Sequence, residues 1–355
     1  MRRCLGTRVA CRSVALHSRP QHRSFTITRI RSMPQSNMGE YFDNMLAWLR
    51  VPVIASTSIA AVASGLLYFK QNEIIYPRNI PPDARTNVPL PSRFGISNFD
   101  DLMIPTPDGE ELHAFLIRPA NPQHARDVTI LMFHGNAGNI GYRVPIAKIL
   151  ANEIGCNVLM LQYRGYGRST GTPNEKGLNI DAQTALDWIR SNQALRSKKI
   201  VVYGQSLGGA VGINLVAKNQ EQGDIAGLIL ENTFTSIRKL IPSAFPPARF
   251  LAPLCHQVWP SDEVMPHIHD VPVLFLSGLQ DEIVPPSHMK TLYDCSQTKI
   301  KIWKDFPDGS HNDTCAEQGY FDHIDCFIRD IVLGGKTEIR EDPRHGRPSE
   351  DIEKL

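Results

Sequence analysis

Acidic residues are absent from the first 39 positions of this 355-residue chain, which hold eight arginines and no lysine. Such a composition is typical of a mitochondrial presequence, and equally of a basic cytosolic tail ahead of a membrane anchor, so residues 1–50 are interpreted as a basic tail or targeting segment. Residues 51–355 hold 29 basic and 34 acidic residues, a balance of −5. An acidic body of this kind argues against nucleic acid as a partner.

Motifs for metals and nucleotides are missing as well. The seven cysteines have no Cys-x-x-Cys spacing, which excludes a zinc ribbon or a thioredoxin-like site, while a disulfide between Cys315 and Cys326 is left open. The glycine-rich stretch 134–139 lacks the Gly-Lys-Ser/Thr ending of a phosphate-binding loop and the spacing of a dinucleotide site. We therefore expect no metal and no organic cofactor.

Charged residues are also absent from residues 51–69. Nineteen residues can just cross the hydrocarbon core of a bilayer, and Trp48 and Tyr68 fall where interfacial aromatic residues lie. We predict a single transmembrane helix over 51–69. Because basic residues near the first span usually remain cytosolic, we expect the arginine-rich end in the cytosol and the following domain on the other side.

Strands and helices alternate along residues 98–335, after a proline-rich stretch, 70–97, that is interpreted as a tether. This alternation predicts an α/β fold with a mostly parallel sheet and helices on both faces. The predicted strands are 100–104, 112–118, 128–133, 157–162, 200–203, 227–230, 272–277 and 299–306. Residues 236–270 are expected to form a cap over the site, with an excursion packed on the core as the alternative. Residues 336–355 are expected to be disordered.

The sequence Gly204-Gln-Ser-Leu-Gly208 follows one of these strands and precedes a small-residue helix start. This context is typical of a nucleophile elbow, in which Ser206 occupies a strained turn between strand and helix. The backbone N–H of Leu207 would then face the oxyanion formed on an attacked carbonyl.

A serine nucleophile needs a base, and the base needs an acid. Asp281 and His311 each follow a predicted strand, at the edge where parallel sheets build their sites. The order Ser, Asp, His is that of α/β-hydrolases. Glu282, next to Asp281, is the alternative acid, whereas His288 and His323 are expected at the surface.

The second oxyanion donor is expected from the loop after strand 128–133, as the backbone N–H of Asn136. The loop 164–171 either shapes the floor of the pocket or uses its glycines only for its own turn. The sequence does not decide between these two interpretations.

Five stretches carry a family resemblance: His134-Gly-Asn-Ala-Gly-Asn139, Tyr163-Arg-Gly-Tyr-Gly-Arg-Ser-Thr-Gly171, Gly204-Gln-Ser-Leu-Gly-Gly209, Gly278-Leu-Gln-Asp-Glu-Ile-Val-Pro-Pro286 and Gly309-Ser-His-Asn312. Together they resemble the fungal Bem-type α/β-hydrolase family, which is similar to the mammalian abhydrolase domain-containing protein thirteen, a single-pass membrane serine hydrolase. The resemblance covers about residues 50–335. It implies Ser206 as nucleophile, Asp281 as acid and His311 as base, and it favours the endoplasmic reticulum or another endomembrane, with a mitochondrial membrane as the alternative.

The residues and the resemblance together predict a membrane-anchored serine hydrolase that cleaves an acyl ester or thioester, of a lipid or an S-acylated protein, through an acyl-serine intermediate. A non-catalytic membrane scaffold with a hydrolase fold is one alternative, and a serine peptidase is another. The oligomeric state is not predicted.

Overall fold

A computed structural model describes residues 36–244 and 246–334. The predicted disordered tail, most of the basic amino-terminal segment and Phe245 of the predicted cap therefore lie outside the described residues. The chain divides into two units, one ending at Ile59 and one beginning at Ala60, and the domain predicted over 98–335 belongs to the second.

The first helix, α1, is longer than predicted. It runs over Ser36–Ile75, and within the described residues it is the one helix that is long and apolar enough to span a membrane. The candidate span is Gly39–Leu66, which is 28 residues with none of its most apolar window buried. At 1.5 Å per residue such a stretch measures about 42 Å, more than the roughly 30 Å of a hydrocarbon core. The predicted span 51–69 overlaps this candidate over residues 51–66 and stays a prediction.

Eight strands form one sheet in the order β1-β2-β4-β3-β5-β6-β7-β8, in which β1–β2 and β2–β4 pair antiparallel and all other neighbours pair in parallel. The predicted mostly parallel sheet is confirmed. The strands are β1 (Phe99–Pro105), β2 (Glu111–Ile117), β3 (Val128–Phe133), β4 (Asn157–Leu161), β5 (Lys199–Gln205), β6 (Ile225–Glu231), β7 (Val273–Gly278) and β8 (Lys301–Phe306).

Helices cover both faces of this sheet. They are α2 (Val144–Asn152), α3 (Glu175–Ser191), α4 (Leu207–Asn219), α5 (Ile237–Ala244), α6 (Ser261–Val264), α7 (Pro286–Cys295) and α8 (Tyr320–Cys326), which continues as a π-helical turn over Phe327–Val332. Successive strand side chains point to opposite faces, so Leu131 of β3 packs with the cluster under α3, α4 and α7, while Ile130 packs with the cluster under α2 and α8.

The predicted tether is instead packed on the domain. Helix α1 continues through its first residues to Ile75, and Tyr76 is 1% exposed. The Tyr76 hydroxyl donates to Gln257 Oε1 at 2.9 Å and accepts from Trp259 Nε1 at 2.9 Å. Ala84 is buried too. The prolines in this stretch indicated a tether over the domain surface, whereas Tyr76 and Ala84 are buried in the domain.

The insert 236–270 packs on the core through Trp259, and its predicted role as a cap over the site stays a prediction. It contains α5, a 3₁₀ helix over Pro246–Leu254, and α6. Trp259 is fully buried in the main core, as expected of an excursion packed on the core. Phe250, by contrast, is 75% exposed.

The hydrogen bonds of Tyr76 make a stability prediction. Tyr76→Phe keeps the buried ring but leaves the Trp259 indole N–H and the Gln257 amide oxygen without this partner, so we expect a loss of about 1–3 kcal/mol in the free energy of unfolding. Equilibrium urea unfolding measures it. Tyr293→Phe is the matched control, since the Tyr293 hydroxyl makes no hydrogen bond with the described residues. Equal stability of the two variants would mean that the segment after α1 contributes little to the fold.

Candidate active site

Ser206 lies at a sharp turn between β5 and α4. Its backbone has φ 53° and ψ −117°, in the region that non-glycine residues seldom adopt. The turn is held by the neighbouring strand, because the Ser206 N–H donates to the Glu231 carbonyl at 2.9 Å and the Thr233 hydroxyl donates to the Ser206 carbonyl at 2.6 Å. Such fixed strain is a feature of functional turns.

The two glycines beside Ser206 are required by close backbone contacts. A Cβ at Gly204 would lie 2.2 Å from the carbonyl oxygen of Gly208, and a Cβ at Gly208 would lie 2.2 Å from the carbonyl oxygen of Phe133. Real Cβ atoms do not approach backbone so closely, so the Gly-x-Ser-x-Gly pattern is a steric necessity of this turn.

The structure brings Ser206, His311 and Asp281 together. Nε2 of His311 lies 3.1 Å from Ser206 Oγ, and Nδ1 of His311 lies 2.7 Å from Asp281 Oδ2. A carboxylate at Nδ1 assigns the proton to that nitrogen and leaves Nε2 free to accept the serine proton. The other carboxylate oxygen of Asp281 accepts the N–H groups of Ile283 and Val284 at 2.9 and 2.7 Å, which fixes its orientation.

Glu282, the alternative acid, is oriented differently. Its carboxylate accepts the backbone N–H of His311 at 3.2 Å and not a ring nitrogen. Hydrogen bonds from backbone N–H groups, its own and that of His311, lower the pKa of Glu282. The geometry therefore favours Asp281 as the partner of the imidazole, and Glu282 supports the loop that carries His311.

Asn232, which follows β6, was missed from the sequence. Its side-chain NH₂ lies 2.9 Å from Thr314 Oγ1 and 3.3 Å from the His311 carbonyl, and its Oδ1 accepts the N–H of Gly278 at 2.8 Å. It thus joins the end of β7, which leads to Asp281, to the loop that carries His311. The sequence feature that could have identified Asn232 is the polar run Glu231-Asn-Thr233 at the carboxyl end of a buried parallel strand.

The two predicted oxyanion donors belong to elements on either side of Ser206. Leu207 is the first residue of α4, so its N–H has no acceptor within the helix. The loop after β3 reaches the serine from the other side, since a Cβ at Gly135 would lie 3.8 Å from Ser206 Cβ. Tyr166, in loop 164–171, reaches Asn136: its hydroxyl lies 2.8 Å from Asn136 Oδ1 and 3.1 Å from the Asn136 carbonyl oxygen. Loop 164–171 thus contacts Asn136 directly.

The same loop is bound to the chain that leaves α1. Asn136 Nδ2 donates to the carbonyl of Ile75, the last residue of α1, and the N–H of Gly138 donates to the Ile80 carbonyl at 2.8 Å. Asn139 Nδ2 donates to the carbonyls of Ala84 and Asn87, both at 2.9 Å. We call residues 75–87 the clamp segment. Sequence reasoning placed it in the tether and gave it no part in the site.

Two other histidines, His134 and His288, are buried and make hydrogen bonds within the fold. Burial lowers the pKa of His134 to about 3, and its Nε2 accepts from Gln162 Nε2 at 2.8 Å. His288 is 9% exposed, so its predicted surface position is wrong. Its Nδ1 lies 2.8 Å from Thr235 Oγ1, and burial lowers its pKa. The sequence does not indicate this burial, because the hydroxyl partner of His288 is 53 residues away along the chain.

The described residues contain no group of three or more His, Cys, Asp or Glu side chains that could hold a metal ion. Cys315 and Cys326 are free thiols, so the disulfide that the sequence left open is not formed.

The choice between the two carboxylates can be measured. Asp281→Asn should lower kcat by on the order of a thousandfold or more, because an amide no longer fixes the imidazole tautomer. Glu282→Gln is the matched control, since its amide oxygen can still accept the His311 N–H, and it should change kcat only slightly. The reverse ranking in an ester hydrolysis assay would assign the acid to Glu282.

A family model and several known proteins match this chain in sequence. A family model described as "Serine aminopeptidase, S33" matches residues 124–270. The chain is 43% identical to protein bem46 of Schizosaccharomyces pombe over 281 residues, which cover 79% of this chain and 93% of that protein. It is 41% identical to the uncharacterized membrane protein YNL320W of Saccharomyces cerevisiae, with 78% and 93% covered.

Solved structures share the fold at low sequence identity. A Vibrio vulnificus α/β hydrolase superposes with a TM-score of 0.59 at 18% identity, covering 72% of this chain and 91% of that one. The Pyrococcus furiosus esterase Pf2001 superposes with a TM-score of 0.56 at 19% identity, covering 68% and 96%. At such identities the likeness establishes the fold alone.

Proposed function

Because the chain belongs to the Bem46-type family of α/β-hydrolases, we propose that it is a serine hydrolase in which Ser206 is the nucleophile, His311 the base and Asp281 the acid. The observation that carries this proposal is the continuous hydrogen-bonded series from Ser206 Oγ through the His311 ring to Asp281, at 3.1 and 2.7 Å. A serine on a strained turn beside an oriented imidazole is the arrangement that nucleophilic acyl transfer requires.

In the proposed reaction Ser206 Oγ attacks the substrate carbonyl while His311 Nε2 takes the hydroxyl proton. The oxyanion accepts hydrogen bonds from the N–H groups of Leu207 and Asn136. Collapse of the tetrahedral intermediate breaks the bond to the leaving alcohol or thiol, which receives the proton from His311. Water activated by His311 then attacks the acyl-serine, releases the carboxylic acid and restores the hydroxyl of Ser206.

An acyl ester or thioester, of a lipid or an S-acylated protein, is the substrate class we favour. Two arguments support it: the esterases among the structurally similar proteins and a span that would keep the domain at a bilayer, where acyl chains are concentrated. The description of the matching family model favours a peptidase as the second candidate. Both candidates share the acyl-serine step and differ in the leaving group.

Ser206→Ala tests the assignment of the nucleophile. A panel of acyl ester, thioester and peptide substrates tests the substrate class. The variant should lose labelling by a fluorophosphonate probe and keep its fold, since the side chain loses one oxygen at the turn. The parent chain should hydrolyse acyl esters or thioesters faster than amino-terminal peptide bonds. Labelling retained in Ser206→Ala would assign the nucleophile to another residue, and cleavage of peptides alone would favour the peptidase. A chain that is never labelled would fit the scaffold alternative.

We also propose that α1 anchors the protein as a single-pass membrane protein, in the endoplasmic reticulum or another endomembrane, with a mitochondrial membrane as the alternative. The apolar span Gly39–Leu66 and the arginine-rich residues before it support this topology, with the catalytic domain on the non-cytosolic side. Carbonate extraction of membranes should leave the protein in the pellet, and protease added to sealed microsomes should spare the domain. Release by carbonate would contradict the span, and digestion of the domain would contradict the orientation.

A further inference from the structure

The 3₁₀ helix Pro246–Leu254 presents large apolar side chains to solvent. Phe250 is 75% exposed and Leu254 is 39% exposed, whereas the other described phenylalanine, tyrosine and tryptophan residues of 98–334 are at most 37% exposed. The guanidinium of Arg249 lies 4.6 Å above the centre of the Phe250 ring. An exposed phenylalanine paired with an arginine is a common composition of surfaces that contact phospholipid, because the ring enters the apolar boundary while the cation stays at the phosphate level.

This helix ends directly against the end of the proposed span. Gln71 Oε1 accepts the N–H of His256 at 2.8 Å, and Gln71 Nε2 lies 3.4 Å from the Leu254 carbonyl. The ring of Tyr68 packs edge-on against His256 with 5.1 Å between ring centres. The side chain of Gln71 is buried in these contacts.

Gln71 also lies close in sequence to the end of the candidate span. Gln71 follows Leu66, the last residue of the candidate span, by five residues, which is about 7.5 Å along an α-helix. The headgroup region is roughly 5–8 Å thick on each side of the hydrocarbon core. A span that ends at Leu66 would place Gln71, and Leu254 bonded to it, at the level of the lipid headgroups.

Charge agrees with this placement. Residues 232–261 contain Arg238, Lys239 and Arg249 and no acidic residue, although residues 51–355 as a whole carry a balance of −5. Lys239 pairs with Asp262 at the edge of this stretch, while Arg238 donates to the Cys255 carbonyl at 2.7 Å. Arginine is suited to phosphate, which it binds through a planar set of donors.

We propose that the 3₁₀ helix Pro246–Leu254 is a second membrane contact, which inserts Phe250 and Leu254 into the headgroup region of a phospholipid bilayer and sets Arg249 against lipid phosphates. The inference rests on the proposed membrane anchor. A single helix can tilt in a bilayer, whereas a second contact fixes the face that the domain turns to the bilayer. Through Gln257 and Trp259, which bind Tyr76 of the clamp segment, this contact is joined to the loop that holds Asn136.

The test uses the full-length chain in phosphatidylcholine vesicles. Phe250→Trp adds a fluorophore at the proposed contact, and Met103→Trp adds one at an exposed position of the edge strand β1 as the matched control. The added signal is the difference from the parent chain, which has four tryptophans. Brominated lipid should quench the added fluorescence at position 250 and leave that at position 103 unchanged, while acrylamide should quench position 103 more strongly.

Each other outcome overturns the proposal in a different way. Equal quenching at the two positions in protein that floats with the vesicles would remove the second contact and leave the anchor intact. Protein that fails to float would remove the anchor and the contact together. Shielding of position 250 from acrylamide in native membranes, but not in protein-free vesicles, would assign the surface to a protein partner. None of these readouts uses hydrolysis, so the proposed serine hydrolase activity stands or falls separately.

Discussion

Hydrogen bonds between the loop 134–139 and the clamp segment are the constraint on which the candidate site depends. One side of the loop is fixed by β3, whose last carbonyl lies against Gly208 of the nucleophile turn. The other side is fixed by the carbonyls of Ile75, Ile80, Ala84 and Asn87. A loop held from both sides can keep a backbone N–H aimed at one point beside Ser206, which is the preorganisation that oxyanion stabilisation requires. The chain that leaves the helix α1 is thus built into the site.

The rest of the site is held in a similar way, by neighbouring strands of the parallel sheet. β5 presents Ser206, and residues just after β6 hold both the serine turn, through Thr233, and the histidine loop, through Asn232. β7 leads to Asp281. Because the carboxyl ends of these strands meet at one edge, a few short hydrogen bonds suffice to align three side chains that are 30 to 105 residues apart in sequence.

Local patterns in the sequence were enough for the sheet and for the choice of Ser206, Asp281 and His311 as candidates. Buried strands are continuous apolar runs, and a Gly-x-Ser-x-Gly sequence between an apolar run and a small-residue helix start is typical of a nucleophile elbow, so each can be recognised from nearby residues. The packing of Tyr76, the bonds of Asn139 and the role of Asn232 could not be predicted, because each depends on partners that are distant in sequence and are often backbone carbonyls, which carry no residue identity. The exposure of Phe250 could not be predicted either, because a phenylalanine in a proline-rich insert has no periodicity that shows which way it faces.

The central claim is that the loop 134–139 and the start of α4 together receive the oxyanion at Ser206. A crystal structure of the full-length protein after reaction with a fluorophosphonate tests it most directly, because the phosphonyl oxygen stands in for the oxyanion of the tetrahedral intermediate. The account predicts a bond from phosphorus to Ser206 Oγ and a phosphonyl oxygen about 2.7–3.1 Å from the backbone nitrogens of both Leu207 and Asn136. A phosphonyl oxygen turned away from Asn136, or an adduct on another residue, would contradict it.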